Sequence, residues 1–297
     1  MRVVTLLPAA TEIAAALGGA ERLVGISHEC DYPPAVTGLP RVTTTPIDPS
    51  APGVVIDAEV RRLRAAGRPV IAVDAAQLRR LAPDLIISQG LCEVCAVADG
   101  EVHRLAVTLP HAPRVLSLAA SSLDGIFDDI RAVAGALSLE SQADELIAGL
   151  EARLRSLRAG APPTRRRVVC IEWLEPLYLA GHWVPELVAA AGGQDVGASP
   201  GCHSVRRDWA DIPELSPDLI VVMLCGFDPA RAERELGSVT DPATRAVLRQ
   251  APVWMLDGNA YTSRPGPRVV DGAERLHAML AGREAAGLRR WQAPWAA

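Results

Sequence analysis

Short apolar runs separated by helical patterns dominate the chain. Arg2–Leu7, Arg22–Ser27, Pro69–Val73, Asp84–Ser88 and Arg114–Leu118 lie in the first half; Arg167–Trp173, Asp218–Leu224 and Val253–Asp257 lie in the second. All are rich in Val, Ile and Leu, and continuous apolar runs of this length predict parallel strands buried on both faces. Between the halves, Leu123, Ile126, Phe127, Ile130, Val133, Leu137, Ile147, Leu150, Leu154 and Leu157 recur at helical spacing. Ser121 and Asp124 resemble a capping box at the start of that helix. Unbroken from Ser121 to Arg158 it would be a rod of about 57 Å, with Gly135 and Ser138 as the places for a kink.

Two signatures occur twice, in the same order. Leu81-Ala82-Pro83-Asp84-Leu85-Ile86-Ile87 is matched by Leu215-Ser216-Pro217-Asp218-Leu219-Ile220-Val221. Glu12-Ile13-Ala14-Ala15-Ala16-Leu17-Gly18-Gly19 is matched by Glu186-Leu187-Val188-Ala189-Ala190-Ala191-Gly192-Gly193. Each Gly-Gly pair follows a helical stretch, where a positive φ is readily adopted. Ordered repetition points to duplication. The expected fold is α/β: two Rossmann-like lobes with mostly parallel sheets, joined by a long connecting helix, with a ligand cleft between the lobes. The boundaries read as 1–118, 119–160 and 161–297. A length of 297 residues fits two lobes at about 150 residues each.

Composition narrows the classes. A net charge of -5 gives no nucleic-acid footprint. All 30 basic residues are arginine, which excludes Schiff-base lysine chemistry and a P-loop. The apolar run after Met1-Arg2 is too short for a secretory h-region of about 7–15 residues. No stretch approaches the roughly 20 apolar residues of a membrane span. A cytoplasmic protein without membrane insertion is therefore expected, with reduced thiols.

The six cysteines carry the first candidate chemistry. Cys92-Glu93-Val94-Cys95 has the spacing of a metal or redox pair directly after a strand; its bland reading is two buried small hydrophobes. Cys30 sits in His28-Glu29-Cys30-Asp31, four ligand types in a row at a strand end, with a hydrogen-bonded polar loop as the competing reading. Cys225 follows the second copy of the repeated strand, matching Cys92 in the first. Together Cys30, Cys92, Cys95 and Cys225 form a candidate thiolate set for zinc or an iron–sulfur cluster. Cys170 reads as core, and Cys202, beside His203, carries no assigned role.

Trp173, Tyr178, His182 and Trp183 follow the strand that opens the second half. Flat aromatic walls suit a planar macrocycle, and His182 suits an axial ligand to its metal; an aromatic packing cluster fits as well. The stretch Asp257 to Arg268 follows the last strand and reads as a binding loop through Asn259, Tyr261 and Arg264, against an ordinary surface connection. Gly197-Ala198-Ser199-Pro200-Gly201 matches a nucleophile elbow, yet Pro200 lacks the N–H its oxyanion hole requires. No dinucleotide-binding glycine fingerprint occurs.

Leu6-Leu7-Pro8-Ala9-Ala10-Thr11-Glu12, the two Pro-Asp-Leu-Ile segments and the connecting helix together resemble the helical-backbone, or class III, substrate-binding proteins. That class captures vitamin B12, haem, siderophores and metal ions for import transporters. Ser27-His28-Glu29-Cys30-Asp31-Tyr32-Pro33 and Gly181-His182-Trp183 are similar to its cobalamin-binding branch. The resemblance implies a binding protein for a metal-containing small molecule such as a cobalamin-like corrinoid. With no export signal read, a cytoplasmic variant is expected. The alternative is a metalloprotein or enzyme with a Cys-ligated zinc or iron–sulfur cluster. The expected ligand contacts are His28, Glu29, Trp173, Tyr178, His182, Trp183, Asn259, Tyr261 and Arg264.

Overall fold

A computed structural model describes residues 1–90, 99–161 and 164–295. The chain divides into two compact units: Met1–Ala51, Val55–Ala120 and Asp124–Ala148 make the first, and Pro52–Val54, Ser121–Leu123 and Gly149–Ala297 the second.

The first unit contains β1 (Val3–Thr5), α1 (Pro8–Ala16), β2 (Leu23–Gly25), β3 (Thr43–Thr44), most of α2 (Gly53–Ala65), β4 (Ala72–Val73), α3 (Ala75–Leu81), β5 (Leu85–Gln89), α4 (Asp99–Ala106) and β6 (Arg114–Leu118). Its main sheet is wholly parallel in the order β2-β1-β5-β6. Val3, Val4 and Thr5 of β1 have no exposed surface, as expected of a strand covered on both faces. The apolar run Pro69–Val73 has a different fate: its end forms β4, which pairs antiparallel with β3 outside the main sheet.

The stretch read as one rod is two helices, α5 (Leu123–Leu137) and α6 (Glu140–Ala159). Ser138 adopts φ 54, and the Leu139 N–H donates to Ala134 O at 2.9 Å, closing α5 with a left-handed cap. The Arg22 guanidinium also donates to the Leu137 carbonyl, one of the acceptors a helix end leaves open.

The second unit contains β7 (Arg167–Leu174), β8 (Leu177–Leu179), α7 (Val184–Ala190), β9 (Gln194–Asp195), β10 (Val205–Arg206), β11 (Leu219–Val222), α8 (Pro229–Ser238), α9 (Pro242–Leu248), β12 (Val253–Leu256), α10 (Gly258–Tyr261), α11 (Val269–Leu280) and β13 (Leu288–Arg290). The parallel core β7-β11-β12 has antiparallel strands beyond it, β8 and β10 on one side and β13 on the other; β9 pairs parallel with the start of β7. These short edge strands carry no strong apolar run, so hydrophobic patterning alone does not announce them.

The repeated signatures build the same local structures in each unit. Ala82 (φ 42) and Ser216 (φ 46) both turn left-handed to end a helical segment. The aspartate two residues on then bonds back to the first strand: Arg2 N–H donates to Asp84 Oδ2 at 2.6 Å, and Arg167 N–H to Asp218 Oδ2 at 2.7 Å. Gly18 (φ 80) and Gly192 (φ 97) close α1 and α7 alike, with Gly19 N–H donating to Ala14 O at 2.8 Å and Gly193 N–H to Val188 O at 2.9 Å.

Candidate functional site

In the first unit, Thr5 of β1, Thr11 of α1, Thr43 of β3 and the residues after β2 form a buried hydroxyl network. Thr5 and Thr11 share a hydrogen bond of 2.6 Å, and Thr11 Oγ1 lies 3.0 Å from Cys30 Sγ. Cys30 is only 1 % exposed, so this thiol faces hydroxyls in the interior. His28 Nδ1 lies 2.7 Å from Thr43 Oγ1, and Thr43 Oγ1 donates to Ser27 Oγ at 3.2 Å. Arg41 ties the loop down by donating to the carbonyls of Ser27 (2.9 Å) and Cys30. Burial, and secondarily the Arg41 charge, holds the His28 imidazole below its ordinary range. Glu29 is exposed, and its N–H donates to Ser27 Oγ at 3.3 Å. Cys92 and Cys95 lie outside the described residues.

In the second unit, the segments after β7, β11 and β12 are bonded into one edge, the location where open α/β sheets bind ligands. Cys225, half-buried, donates its N–H to Glu172 O at 3.0 Å. Gly226 N–H donates to Ser263 Oγ at 3.4 Å, and Gly258 N–H to Phe227 O at 3.1 Å. A Cβ at Gly258 would stand 2.1 Å from Leu224 O, so only glycine lets α10 start this close to the strand. Arg264, buried, donates to Asn259 Oδ1 at 2.7 Å, and Tyr261 is half-buried beneath the Arg275 guanidinium.

The aromatic group divides in two. Trp173 is half-buried, its ring 5.4 Å from Phe227, and Tyr178 is half-buried on β8. Trp183 is buried, with Nε1–H donating to Thr262 O at 2.9 Å; it is a packing anchor of this unit. His182 lies against it, ring centres 5.6 Å apart, and stands edge to face with His203 at 5.2 Å. His182 is held at φ 54 because its N–H donates to Cys202 O at 2.6 Å while its carbonyl accepts from Gly201 N–H at 2.9 Å. Burial, with a smaller contribution from His203, lowers the basicity of His182.

Two features escaped the sequence reading. His203, passed over as a loop residue, is the neighbour of His182; its signal was an adjacent Cys-His pair in a glycine-bounded loop. Cys170, expected as core, is buried, but it hydrogen-bonds to Asp195, whose carboxyl burial pushes up to about 6. Gly197 and Ala198, part of the rejected elbow, donate their N–H groups to Asp195 Oδ1 at 2.8 and 3.2 Å. Among the described residues no three His, Cys, Asp or Glu side chains are placed to hold a metal ion, and no helix is long and apolar enough to cross a membrane.

Residues 3–254 match the family model described as periplasmic binding protein. A vitamin B12-binding protein of Vibrio cholerae serotype O1 is 24% identical over 278 residues, covering 93% of this chain and 87% of that protein. The fold is similar to the periplasmic vitamin B12 binding protein structure from Vibrio cholerae, at 22% identity and TM-score 0.66, covering 94% of this chain and 96% of that one. It is also similar to the periplasmic heme-binding protein from Roseiflexus sp. RS-1, at 20% identity and TM-score 0.66, covering 94% and 96%. A third, an ABC-type Fe3+-hydroxamate transport protein from Saccharomonospora viridis, has 19% identity and TM-score 0.65, covering 94% and 92%.

Proposed function

Because the chain belongs to the periplasmic binding protein family, we propose that it is a receptor for a metal-containing chelate of corrinoid or tetrapyrrole type. The observation that carries this reading is the similarity to a vitamin B12-binding protein along 93% of the chain. The solved relatives named for vitamin B12, heme and Fe3+-hydroxamate support the same ligand chemistry, a metal wrapped in a bulky organic chelator.

The side chains supply what such a ligand needs. Trp173 and Tyr178 offer partly exposed flat faces to a macrocycle. His182, of lowered basicity and backed by Trp183, offers an imidazole that is neutral at physiological pH, the form that ligates metals. Asn259, Tyr261 and Arg264 carry donors for peripheral amide, carboxylate or phosphate groups. Cys30, Cys92, Cys95 and Cys225 are the thiols of the alternative zinc or iron–sulfur reading; Cys30, bonded to Thr11, is the member most removed from solvent.

The receptor works in the cytoplasm in this proposal, which the exposed free thiol of Cys202 supports; cell fractionation tests it. Titration with cyanocobalamin and, separately, hemin tests the function through absorbance. A saturable spectral change with one ligand per chain is expected. A flat response to both would remove the proposal, while zinc or brown cluster absorbance in anaerobically purified protein would favour the thiolate alternative.

A further inference from the structure

We propose that the second unit carries a separate site for a small aromatic carboxylate, in a cavity where β12 begins and β13 ends. This cavity has a volume of about 300 Å³ and is lined by residues 248–253 with Arg290, Trp291 and Ala293. It lies at the start of β12, at Val253, whereas the receptor edge begins after that strand, at Asp257. Four residues of strand at about 3.3 Å each separate the two by roughly 13 Å along the sheet. Sites for small molecules span about 300–1,000 Å³. At the low end of that range, the cavity has room for one or two fused rings and not for a metal-loaded macrocycle.

The lining sorts into an apolar floor and a cationic mouth. Leu248, Val253 and Trp291 are buried and supply the floor. Arg249 and Arg290 are exposed, and among the described residues no acidic side chain lines the cavity. Two guanidiniums over an apolar floor complement an anionic group at the end of a flat apolar body. A guanidinium fork grips a carboxylate through two parallel N–H···O bonds, and an indole offers a flat wall to a ring.

The mouth is held in place before any ligand arrives. Trp291 N–H donates to Val253 O at 2.9 Å, fixing the residue after β13 against the start of β12. Trp295 packs edge to face on Trp291 with ring centres 5.1 Å apart, and its Nε1–H donates to Gly237 O at 3.5 Å. The guanidiniums of Arg245 and Arg249 lie 4.8 and 5.9 Å from the Trp295 ring centre, so stacking restrains Arg249 beside the cavity. Glu284 accepts the backbone N–H of Arg290 at 3.0 Å, while the Arg290 guanidinium has no ion-pair partner among the described residues. A restrained mouth lowers the ordering cost of binding.

This site does not depend on the chelate-receptor reading, and the experiment keeps the two apart. Full-length protein is titrated calorimetrically with 2-naphthoate, with its neutral amide and with acetate. One saturable 2-naphthoate per chain is expected, with the amide and acetate each at least about tenfold weaker. Arg290→Ala should weaken 2-naphthoate about tenfold or more. Ala293→Glu, which puts a carboxylate at the mouth, should abolish its binding; both positions are exposed, so the core is left intact. No saturable uptake overturns the site, as does equal affinity for the amide, for acetate or in Arg290→Ala. Displacement of 2-naphthoate by one cyanocobalamin per chain puts it at the receptor edge and overturns the site as well. A cyanocobalamin titration without the acid reports separately on the receptor reading.

Discussion

Replacing Asp195 by Asn is expected to stabilise the second unit at neutral pH and to change nothing in acid. Asp195 Oδ1 is satisfied by two backbone N–H groups, but Oδ2 is sealed from solvent with no partner of ordinary strength. The Cys170 thiol, a weak donor, bonds to this carboxylate, and burial keeps that thiol protonated. Burial of the carboxylate raises its pKa from 3.8 to about 6. The folded state therefore holds the proton longer than the unfolded chain does. The stabilising contribution of the neutral acid is complete below pH about 4 and is lost as pH rises through about 6. A shift of roughly two units corresponds to about 3 kcal/mol, and partial exposure of the residue lowers the expected effect to about 1–2 kcal/mol. Asparagine mimics the protonated carboxyl at every pH and keeps an acceptor for Gly197 and Ala198. All six tryptophans fall in the second unit, so their fluorescence follows its unfolding alone. Urea melts should show the variant and wild type coinciding near pH 4 and diverging in favour of the variant by pH 7. A variant less stable at pH 7, or a difference independent of pH, refutes the reasoning.

Three further outcomes follow from the same contacts. Ala82→Gly and Ser216→Gly should each stabilise their own unit by about 0.5–1 kcal/mol in urea melts, because both residues sit left-handed at matching turns where a Cβ is a liability. Arg153→Ala should weaken the brace from α6 to α11, where Arg153 bonds Glu274 twice at 2.8 Å and also Asp271. Solvent exposure limits that loss to about 0.5–1 kcal/mol, and it should shrink in high salt. Trp183→Phe keeps the packing but strips the donor from Thr262 O, and should cost about 1–2 kcal/mol in urea melts followed by tryptophan fluorescence.

What the sequence discloses and what it hides follow from range. Backbone conformation at Ala82, Ser216, Gly18 and Gly192 is set by neighbours a few residues away, so the duplicated words announce duplicated turns, and the eight apolar runs all contain strands. The partners of the aspartates in those words, the N–H groups of Arg2 and Arg167, are visible only in the fold. The long helix breaks at Ser138, one of the two places named for a kink: the apolar stripe reads on across it, while its left-handed turn interrupts the hydrogen bonds without interrupting the stripe. Side-chain chemistry depends on longer reach. Nothing in the spacing of Cys30 says that Thr11, 19 residues earlier, receives it, and nothing near His182 says that a loop some twenty residues on brings His203 against its ring. The thiols stand out in sequence because cysteine is rare, whereas the imidazole pair is visible only after β8 and β10 have paired antiparallel, Leu179 facing Val205, and brought the loop that follows β8 against the loop that precedes β10. That long-range pairing is why the sequence does not announce the contact, and disrupting it is expected to separate the two histidines even where each residue is retained.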